Sequence, residues 1–204
     1  MSKIAVMGAG AWGTTFAKVL ADAGCDVMLW ARRPDLADEI NTEHRNGDYL
    51  PGIELPEGVR ASASVEEVLA DASQVYLAVP SQSLRSNLEQ WGPHLPADAI
   101  LVSLMKGVER DTGLRMSEVI AEATGFAADQ IAVVSGPNLS QEIAAEQPAA
   151  SVASSTSRDT AIAVAEVSNN SYFTCFTNND VIGTEFGGIL KNLIAVAIGI
   201  VNGV

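Results

Sequence analysis

Short apolar runs alternate with amphipathic stretches along most of the chain. The run at residues 4–7 is followed by apolar side chains at the spacing of a helix, among them Phe16, Val19 and Leu20. The same alternation predicts further strands at 26–30, 59–61, 74–79, 99–103, 131–135, 149–153 and 172–177, and helices at 34–45, 65–70, 83–91, 116–123, 139–146 and 158–168. This order predicts an α/β fold with a doubly wound, mostly parallel sheet and helices on both faces.

Two stretches depart from this alternation. Residues 46–58 are rich in glycine and proline and follow neither periodicity, so they predict a long loop. Loops of this length inside a compact domain are more often functional than idle. Residues 181–203 are apolar almost all round, which predicts a long helix that is capped by residues 178–180 and buried between layers or domains.

Three glycines separate the first predicted strand from the first predicted helix. In the pattern G-x-G-x-x-G, Gly8 permits a tight turn, Gly10 lets the backbone approach a pyrophosphate, and Gly13 lets the helix pack closely on the strand. The helix begins near Ala11, and its unpaired N–H groups favour an anion there. Because the pattern follows a strand and precedes a helix, it predicts a Rossmann-like dinucleotide-binding unit.

The end of the second predicted strand carries arginines where such a unit places its ribose contact. A carboxylate there, roughly twenty residues past the glycines, selects NAD, whereas a guanidinium accommodates the 2′-phosphate of NADP. Arg32 and Arg33 lie at this point, directly before Pro34, so we expect NAD or NADP as the cofactor, with NADP accepted or preferred. The alternative is that the two arginines belong to a solvated loop.

Candidate binding residues follow three of the predicted strands. Ligands of doubly wound sheets bind beyond the carboxyl ends of the strands. Pro80 follows the strand at 74–79, and Lys106 follows the strand at 99–103. The strand at 131–135 leads through Gly136 and Asn138 into a helix whose first N–H groups would face the same cleft. We expect Lys106 to direct its ammonium into this cleft, although a lysine considered alone is more often a surface residue.

Lys191 is the only cation in the predicted last helix. Thr184, Gly187 and Gly188 share its face, and the two glycines leave room for a ligand against the backbone. Because the flanking residues are apolar, the sequence predicts a partly desolvated ammonium that is suited to act as a general base. The alternative is a lysine that extends to solvent from an amphipathic helix.

Composition narrows the classes of function. The 204 residues are 48% hydrophobic and carry a formal net charge of -13 without a basic stripe, so we expect no nucleic-acid partner. The sequence has no signal-peptide pattern and no apolar run of about 18 residues free of charge, which predicts a cytoplasmic protein without membrane insertion. The two cysteines, Cys25 and Cys175, and the two histidines lack metal-ligand spacing, so no metal site is predicted.

Five segments occur in order along the chain. They are GAGAWGTTFA at 8–17, Pro80-Ser81, MKGVE at 105–109, SGPNLSQE at 135–142 and NDVIGTEFGGILKN at 179–192. Together they resemble the NAD(P)-dependent glycerol-3-phosphate dehydrogenases of bacterial type, and the likeness extends over all 204 residues. The resemblance implies reversible reduction of dihydroxyacetone phosphate to sn-glycerol 3-phosphate, with NAD or NADP, for glycerophospholipid synthesis.

The resemblance also implies roles for individual residues. Lys191 is implied to be the catalytic proton acceptor or donor at the C2 oxygen of the substrate. Lys106, Gly136 and Asn138 are implied to bind the substrate with Lys191, although many family members carry Ser or Thr in place of Asn138. The cofactor-binding residues indicated by the glycine pattern, the strand ends and the resemblance are Gly8, Gly10, Ala11, Trp12, Gly13, Arg32, Arg33, Pro80, Lys106 and Ser140.

The resemblance finally implies a division into domains. Family members continue into a C-terminal helical substrate domain, and nothing after Gly203 resembles it. We therefore expect residues 1–180 to form the nucleotide-binding domain and 181–204 to begin a linking helix, with the substrate domain missing. Such a chain is expected to bind nucleotide but to be catalytically impaired, and the full-length protein to be a homodimer. Two alternatives stay open: a different Rossmann-fold dehydrogenase, such as a ketopantoate reductase-like enzyme, and a non-catalytic nucleotide-sensing module.

Overall fold

The computed structural model describes residues 3–203, without the side chains of Asn192 and Asn202. Within this range, eight strands form one sheet in the order β3-β2-β1-β4-β5-β6-β7-β8. The strands are β1 (Lys3–Met7), β2 (Asp26–Trp30), β3 (Val59–Ser62), β4 (Gln74–Leu77), β5 (Ile100–Ser103), β6 (Ile131–Ser135), β7 (Ala149–Ser155) and β8 (Phe173–Asn178). Neighbouring strands are parallel except β6 and β7, which are antiparallel. The predicted mostly parallel sheet is confirmed.

The helices connect these strands. They are α1 (Ala11–Asp22), α2 (Pro34–Glu43), α3 (Val65–Leu69), α4 (Leu84–Trp91), α5 (Met116–Thr124), α6 (Ser140–Ala144), α7 (Arg158–Ser168) and α8 (Val181–Asn202). Local sequence explains several boundaries, because Ser157 and Asp180 accept hydrogen bonds from the first-turn N–H groups of α7 and α8. Gly125, with a φ of 75°, ends α5 in the left-handed conformation that favours glycine.

The order of the strands places the binding edge of the sheet. The chain begins at the central strand β1, extends through β2 and β3 on one side, and then crosses to β4, β5 and β6 on the other. A doubly wound sheet opens a crevice where the order reverses, beyond the carboxyl ends of its strands. Here that point lies between β1 and β4, so the glycine turn after β1 faces the segment after β4.

Helices cover both faces of the sheet, as predicted. On one face Phe16 of α1 packs among side chains of β1, β4 and β8, with its ring 5.3 Å from Tyr76 and 5.8 Å from Phe173. On the other face Trp91 of α4 is buried beside Trp30, in a cluster that includes residues of α3, α4 and α5. These two apolar layers fix the sheet between the helices.

The last helix is not covered along its length in this chain, although its apolar composition by itself predicts burial. Only the first two turns of α8 pack on the sheet, where Glu185 and Gly188 are buried. From Leu190 onward the described side chains are exposed, with Leu193 at 66% and Val201 at 75%. Apolar composition shows that a helix can be buried, but the arrangement of neighbouring elements decides whether anything covers it. Within residues 3–203, one stretch, Val181–Val201, has the length and composition of a membrane-crossing helix.

Smaller differences concern the ends of elements. The helix predicted at 139–146 contains only Ser140–Ala144, and the strand predicted at 74–79 ends at Leu77. The helix predicted at 34–45 ends at Glu43, because His44 adopts a left-handed conformation with a φ of 50°. The loop predicted at 46–58 is confirmed, with one isolated bridge between Arg45 and Glu54.

Candidate active site

The glycine turn between β1 and α1 has the geometry that its sequence predicts. Gly8 has a φ of 130°, and a Cβ atom there would lie 2.6 Å from the carbonyl oxygen of Ala78. A Cβ atom at Gly13 would lie 1.9 Å from the carbonyl oxygen of Gly8, so only glycine lets α1 approach the turn. A Cβ atom at Gly10 would meet no described atom within 4 Å, which leaves the backbone there accessible to a ligand.

The first cavity, which we call the turn cavity, opens directly in front of this turn. Its volume is about 430 Å³. The Trp12 side chain is held at its edge, because Nε1 donates a hydrogen bond of 3.2 Å to the carbonyl oxygen of Leu104. The cavity brings together six of the predicted residues, namely Gly10, Trp12, Pro80, Lys106, Asn138 and Ser140, with Ala78, Val79, Ser81, Leu104 and Met105.

A second cavity, the arginine cavity, continues from the turn past the end of β2. It has a volume of about 430 Å³ and includes Gly8, Gly10, Arg32 and Arg33 among its lining residues. Both arginines are exposed, and the Arg33 guanidinium forms an ion pair with Asp48 and lies 3.8 Å from the Asp35 carboxylate. The structure therefore places the two arginines in one cavity with the glycine turn.

A third cavity, the helix cavity, lies between the end of β6 and the first turns of α8. Its volume is about 370 Å³. The predicted face of α8 lines it, with Gly187 and Gly188 beneath Lys191, and Gly136 lies on the opposite side. A Cβ atom at Gly188 would lie 2.4 Å from Ser135 Oγ, so glycine is needed for α8 to pack against β6. At Gly187 and Gly188 the wall of this cavity is thus backbone, as the glycine spacing predicts.

Lys106 joins the turn cavity to the helix cavity. Its ammonium nitrogen donates a hydrogen bond of 2.9 Å to the carbonyl oxygen of Gly136, and its stem passes Gly188. Burial lowers the pKa of Lys106 below its ordinary value, and the positive charge of Lys191 lowers it further. The Lys106 stem lies against α8 within one turn of Lys191, and an anion bound beside both residues would offset their like charges.

Lys191 differs from its predicted environment. Its side chain lines the helix cavity, but the residue is exposed, so the expected partial desolvation is wrong for this chain. The apolar neighbours that suggested desolvation are themselves in solvent, because α8 extends beyond the sheet at this point. The Lys106 stem passes Gly188, three residues before Lys191 on α8, and the exposure of Lys191 contradicts its expected apolar surroundings.

Asn138 lies where the turn cavity meets β7. Its Oδ1 accepts a hydrogen bond of 3.0 Å from the hydroxyl of Ser151, which leaves the amide nitrogen to donate. That nitrogen is buried and has no hydrogen-bond partner within the described residues. A buried donor without a partner is costly, so Asn138 Nδ2 fits a site that a polar ligand completes.

Buried polar contacts that the sequence analysis missed hold the first turns of α8 in place. Glu185 is 5% exposed and accepts hydrogen bonds from the Arg115 guanidinium at 2.5 Å and from the Ser117 backbone and hydroxyl at 3.0 and 2.7 Å. These contacts fix α8 to the start of α5, six residues before Lys191. A charged residue in an otherwise apolar helix was the available signal, because such a residue is rarely buried without a partner.

Two predicted residues line none of the three cavities, and some residues that do line them were not predicted. Ala11 begins α1 and Gly13 packs against Gly8, whereas neither lines one of the three cavities described above. Tyr49 and Asn87 line the arginine cavity, and Val152 lines the helix cavity, although no sequence pattern marks them. Among residues 3–203, no group of three or more His, Cys, Asp and Glu side chains has a geometry that could hold a metal ion.

Comparison with protein families gives one match over most of the chain. A family model described as "NAD-dependent glycerol-3-phosphate dehydrogenase N-terminus" matches residues 3–161. The chain is 61% identical over 199 residues to a glycerol-3-phosphate dehydrogenase [NAD(P)+] of Leifsonia xyli subsp. xyli, a match that covers 98% of this chain and 54% of the relative. It is 55% identical over 203 residues to glycerol-3-phosphate dehydrogenase [NAD(P)+] 2 of Mycobacterium tuberculosis, of which 61% is covered.

A solved structure agrees with these matches. The crystal structure of glycerol-3-phosphate dehydrogenase from Coxiella burnetii superposes with a TM-score of 0.89 at 33% identity, over 99% of this chain and 61% of that one. The chain thus spans 54% to 61% of the length of these relatives. Of the two dehydrogenase classes that the sequence left open, the relatives belong to the one that acts on glycerol 3-phosphate.

Proposed function

The chain belongs to the NAD-dependent glycerol-3-phosphate dehydrogenase family, and from this premise we propose that it forms the part of such an enzyme that binds NAD or NADP and contributes the catalytic lysine. The reaction is the reversible reduction of dihydroxyacetone phosphate to sn-glycerol 3-phosphate. The observation that carries the proposal is the pair of lysines at the junction of the turn cavity and the helix cavity. There Lys106 donates a hydrogen bond to the Gly136 carbonyl, and the charge of Lys191 lowers the pKa of Lys106. Two cations at one junction suit a phosphorylated substrate in an otherwise acidic molecule.

The residues around the glycine turn fit a dinucleotide. The open space above Gly10 admits a pyrophosphate against the backbone, and the first turn of α1 presents N–H groups to it. Arg32 and Arg33 at the far end accommodate a 2′-phosphate, so NADP is accepted alongside NAD. When bound, the nicotinamide nucleotide supplies the hydride chemistry.

The residues of the chain then bind the substrate and move a proton. Lys106 holds the anionic substrate between the two cavities, and Asn138 Nδ2, which lacks a partner within the described residues, donates to one of its oxygens. Lys191 protonates the C2 oxygen of the substrate as the ketone is reduced, and accepts that proton in the reverse direction. Gly187 and Gly188 leave the space in which the C2 oxygen can approach the ammonium.

We also propose that this chain alone turns over slowly. Lys191 is exposed and the helix cavity is open to water, so the site lacks the excluded solvent that strengthens charge stabilisation. Residues 181–204 are proposed to begin a second, substrate-binding domain in the full-length protein, since α8 extends past the sheet. We propose a reducing cytoplasm as its location, which fits the two free cysteines, and burial raises the pKa of Cys175 to about 12. That the full-length protein is a homodimer stays a prediction.

The test measures binding and turnover separately. NADH and NADPH are titrated against the 204-residue chain with tryptophan fluorescence as the signal, and Trp12→Phe identifies the reporter at the turn. We expect both nucleotides to bind and their oxidation by dihydroxyacetone phosphate to be slow. Lys191→Ala should abolish the remaining oxidation and leave nucleotide affinity within about twofold, because Lys191 lies outside the turn cavity.

Two results would overturn the proposal. One is the absence of nucleotide binding by the unmodified chain. The other is oxidation that responds to ketopantoate and not to dihydroxyacetone phosphate. Equal loss of nucleotide affinity and turnover in Lys191→Ala would instead assign Lys191 a structural role and contradict the proposed proton transfer.

A further inference from the structure

Asn46 links the long loop after α2 to the glycine turn. It is the first residue of the 46–58 loop, and its side chain is completely buried. Its amide nitrogen donates two hydrogen bonds, one of 3.0 Å to the carbonyl oxygen of Ala9 and one of 2.8 Å to the hydroxyl of Thr14. Its Oδ1 accepts a hydrogen bond of 3.3 Å from the backbone N–H of Tyr49. The bond to Ala9 reaches the middle of the turn, 37 positions earlier in the chain.

The bond to Ala9 determines the orientation of one peptide group. The Ala9 carbonyl and the Gly10 N–H belong to the same peptide, and the described residues contain no cis peptide bond. In a trans peptide the C=O and N–H vectors point in opposite directions. Because Asn46 holds the carbonyl towards the protein interior, the Gly10 N–H points the other way, and Gly10 lines both the turn cavity and the arginine cavity.

We infer that Asn46 is a positioning residue for the dinucleotide: it holds the Ala9 carbonyl inward and so aims the Gly10 N–H at the pyrophosphate. If this peptide rotated, the cleft would present a carbonyl oxygen to an anion in place of a donor. Within residues 3–203 the Gly10 N–H has no intramolecular acceptor, which leaves it for a ligand. The inference rests on the proposed nucleotide binding, and it adds a residue that touches neither cofactor nor substrate.

The chemistry of this position requires an amide. Both N–H groups of the amide face acceptors, and its oxygen faces a donor, so each polar atom of the buried side chain has a partner. Aspartate has almost the same shape, but its ionised carboxylate only accepts hydrogen bonds and would face the Ala9 carbonyl oxygen. Asn46→Asp therefore tests the direction of the hydrogen bond without leaving a cavity, and Asn46→Ala removes the side chain.

The experiment compares two ligands that differ in the pyrophosphate. ADP-ribose and adenosine are titrated against the ¹⁵N-labelled 204-residue chain, with the Gly10 amide resonance as a local signal. We expect Asn46→Ala and Asn46→Asp to weaken ADP-ribose about tenfold, the value of one hydrogen bond to a charged group, and to change adenosine affinity less than twofold. A role limited to stability would weaken both ligands in the same proportion, because it acts through the folded fraction alone.

Asn41→Ala provides the matched control. The Asn41 side chain also forms two hydrogen bonds of 2.8 Å to a distant segment. Both join it to the backbone of Ala61 on β3, and neither involves the glycine turn. We expect its ADP-ribose to adenosine affinity ratio to equal that of the unmodified chain. The unmodified chain gives a further readout, since its Gly10 amide resonance should shift with ADP-ribose and not with adenosine.

The results of these titrations distinguish nucleotide binding by the chain from the positioning role of Asn46. If the unmodified chain binds neither ADP-ribose nor NADH, the proposed function fails. If it binds them while both Asn46 variants retain the affinity ratio, or lose both ligands equally, the positioning role is wrong. If neither variant folds, the unmodified chain still tests the inference. A Gly10 amide resonance that does not shift with ADP-ribose overturns it. It is supported by a scalar coupling between Asn46 Nδ2 and the Ala9 carbonyl carbon that persists when ADP-ribose is bound.

Discussion

Single residues in this chain depend strongly on which neighbours the fold provides. Lys106 follows β5 and Lys191 lies in the middle of α8, yet burial and the nearby charge lower the pKa of Lys106 while Lys191 is exposed. The sequence predicted partial desolvation for Lys191, which the structure contradicts, and an ammonium directed into the cleft for Lys106. Of the two lysines, Lys106 therefore has the more perturbed environment, and it offers the clearer test by pH.

The charge of Lys106 predicts how ligand affinity changes with pH. The proposed binding of sn-glycerol 3-phosphate uses the ammonium, so affinity should fall as pH rises through the lowered pKa, before the ordinary value of 10.5 is reached. Between the lowered pKa of Lys106 in the folded chain and its ordinary value, the unfolded chain binds more protons than the folded chain. The free energy of unfolding of the unliganded chain should therefore rise with pH across this window. Calorimetric titration at successive pH values measures the affinity.

Lys106→Arg is the control for this pH dependence. The guanidinium keeps its proton throughout this pH range. The affinity of the variant for sn-glycerol 3-phosphate should therefore stay constant over the pH values at which Lys106 titrates in the unmodified chain. A variant whose affinity declines in parallel with the unmodified chain would assign the titration to another residue.

A second prediction at this scale concerns the preference between the two nucleotides. Asp48 forms an ion pair with Arg33 and therefore competes with a 2′-phosphate for that guanidinium. Asp48→Asn should raise affinity for NADPH by about threefold and leave NADH nearly unchanged, since exposed ion pairs contribute roughly 0.2 to 1 kcal/mol. Fluorescence titration of both nucleotides measures the ratio.

Asp35→Asn is the matched control for this variant, because Asp35 lies farther from Arg33, at 3.8 Å, and is more exposed than Asp48. It should change the NADPH to NADH affinity ratio less than Asp48→Asn does. A similar rise for both nucleotides in Asp48→Asn would show that its carboxylate repels nucleotides in general and does not select between them.

At the scale of elements, α8 depends on contacts made in its first two turns. Asp180 caps the helix, and Glu185 joins it to α5 through Arg115 and Ser117. Beyond Gly188, which packs against Ser135 at the end of β6, no described element holds the helix against the sheet. The position of Lys191 over the helix cavity is therefore set by Glu185 more than by packing around the lysine itself.

Glu185→Ala should release this helix. Removing one partner of a buried ion pair costs about 3 kcal/mol, because the remaining charge is left without compensation. We expect faster amide hydrogen exchange in α8 and lower turnover, with nucleotide affinity unchanged, since the turn cavity lies elsewhere. Hydrogen exchange followed by mass spectrometry locates the change.

Glu118→Gln is the control for Glu185→Ala. Glu118 pairs with the same arginine at 2.8 Å, but its side chain is 44% exposed, and glutamine keeps an oxygen that can accept from the Arg115 backbone N–H. This variant should exchange like the unmodified chain in α8. Equal exchange in Glu118→Gln and Glu185→Ala would mean that Glu185 does not anchor the helix.

At the scale of the whole molecule, a well-packed sheet domain is joined to an uncovered apolar helix. The large exposed hydrophobic side chains of α8 are Ile182, Phe186, Leu190, Leu193, Ile194, Val196, Ile198, Ile200 and Val201. Apolar surfaces of this extent mark interaction sites or aggregation-prone regions. The net charge of -13 opposes association in general, but it is screened at physiological salt.

We expect this chain to self-associate through α8 as its concentration rises. Changing Leu193 and Ile200 together to Gln, a good helix former, should lower the association constant at least tenfold, because about 2 kcal/mol of burial is lost per large side chain. Sedimentation velocity over a concentration series measures the effect. Phe176→Gln is the control, since Phe176 is 61% exposed but lies on β8.

An unmodified chain that stays monomeric throughout the concentration series would contradict this prediction. The same conclusion would follow if Phe176→Gln abolished association as completely as the double variant. The first result would mean that the α8 surface is not sufficient for association, and the second that the interface lies at the edge of the sheet.

Local sequence patterns determined much of this fold and part of its site. The spacing of Gly8, Gly10 and Gly13 predicted the turn because Gly8 and Gly13 meet steric limits at the adjoining strand or within a few residues, while Gly10 leaves the backbone open. Apolar alternation predicted the boundaries of β2, β6 and α7 as the structure has them. The face shared by Gly187, Gly188 and Lys191 followed from helical periodicity alone.

Other features were decided only when distant segments came together. The antiparallel pairing of β6 and β7, the partners of Asn46 and Glu185, and the hydrogen bond from Lys106 to Gly136 join residues that no short-range pattern relates. The exposure of α8 and of Lys191 likewise depends on which elements lie nearby, and composition does not contain that information. Sequence thus determined what each segment can form, and tertiary structure decided the solvation and charge of each side chain, because these depend on neighbours far apart along the chain.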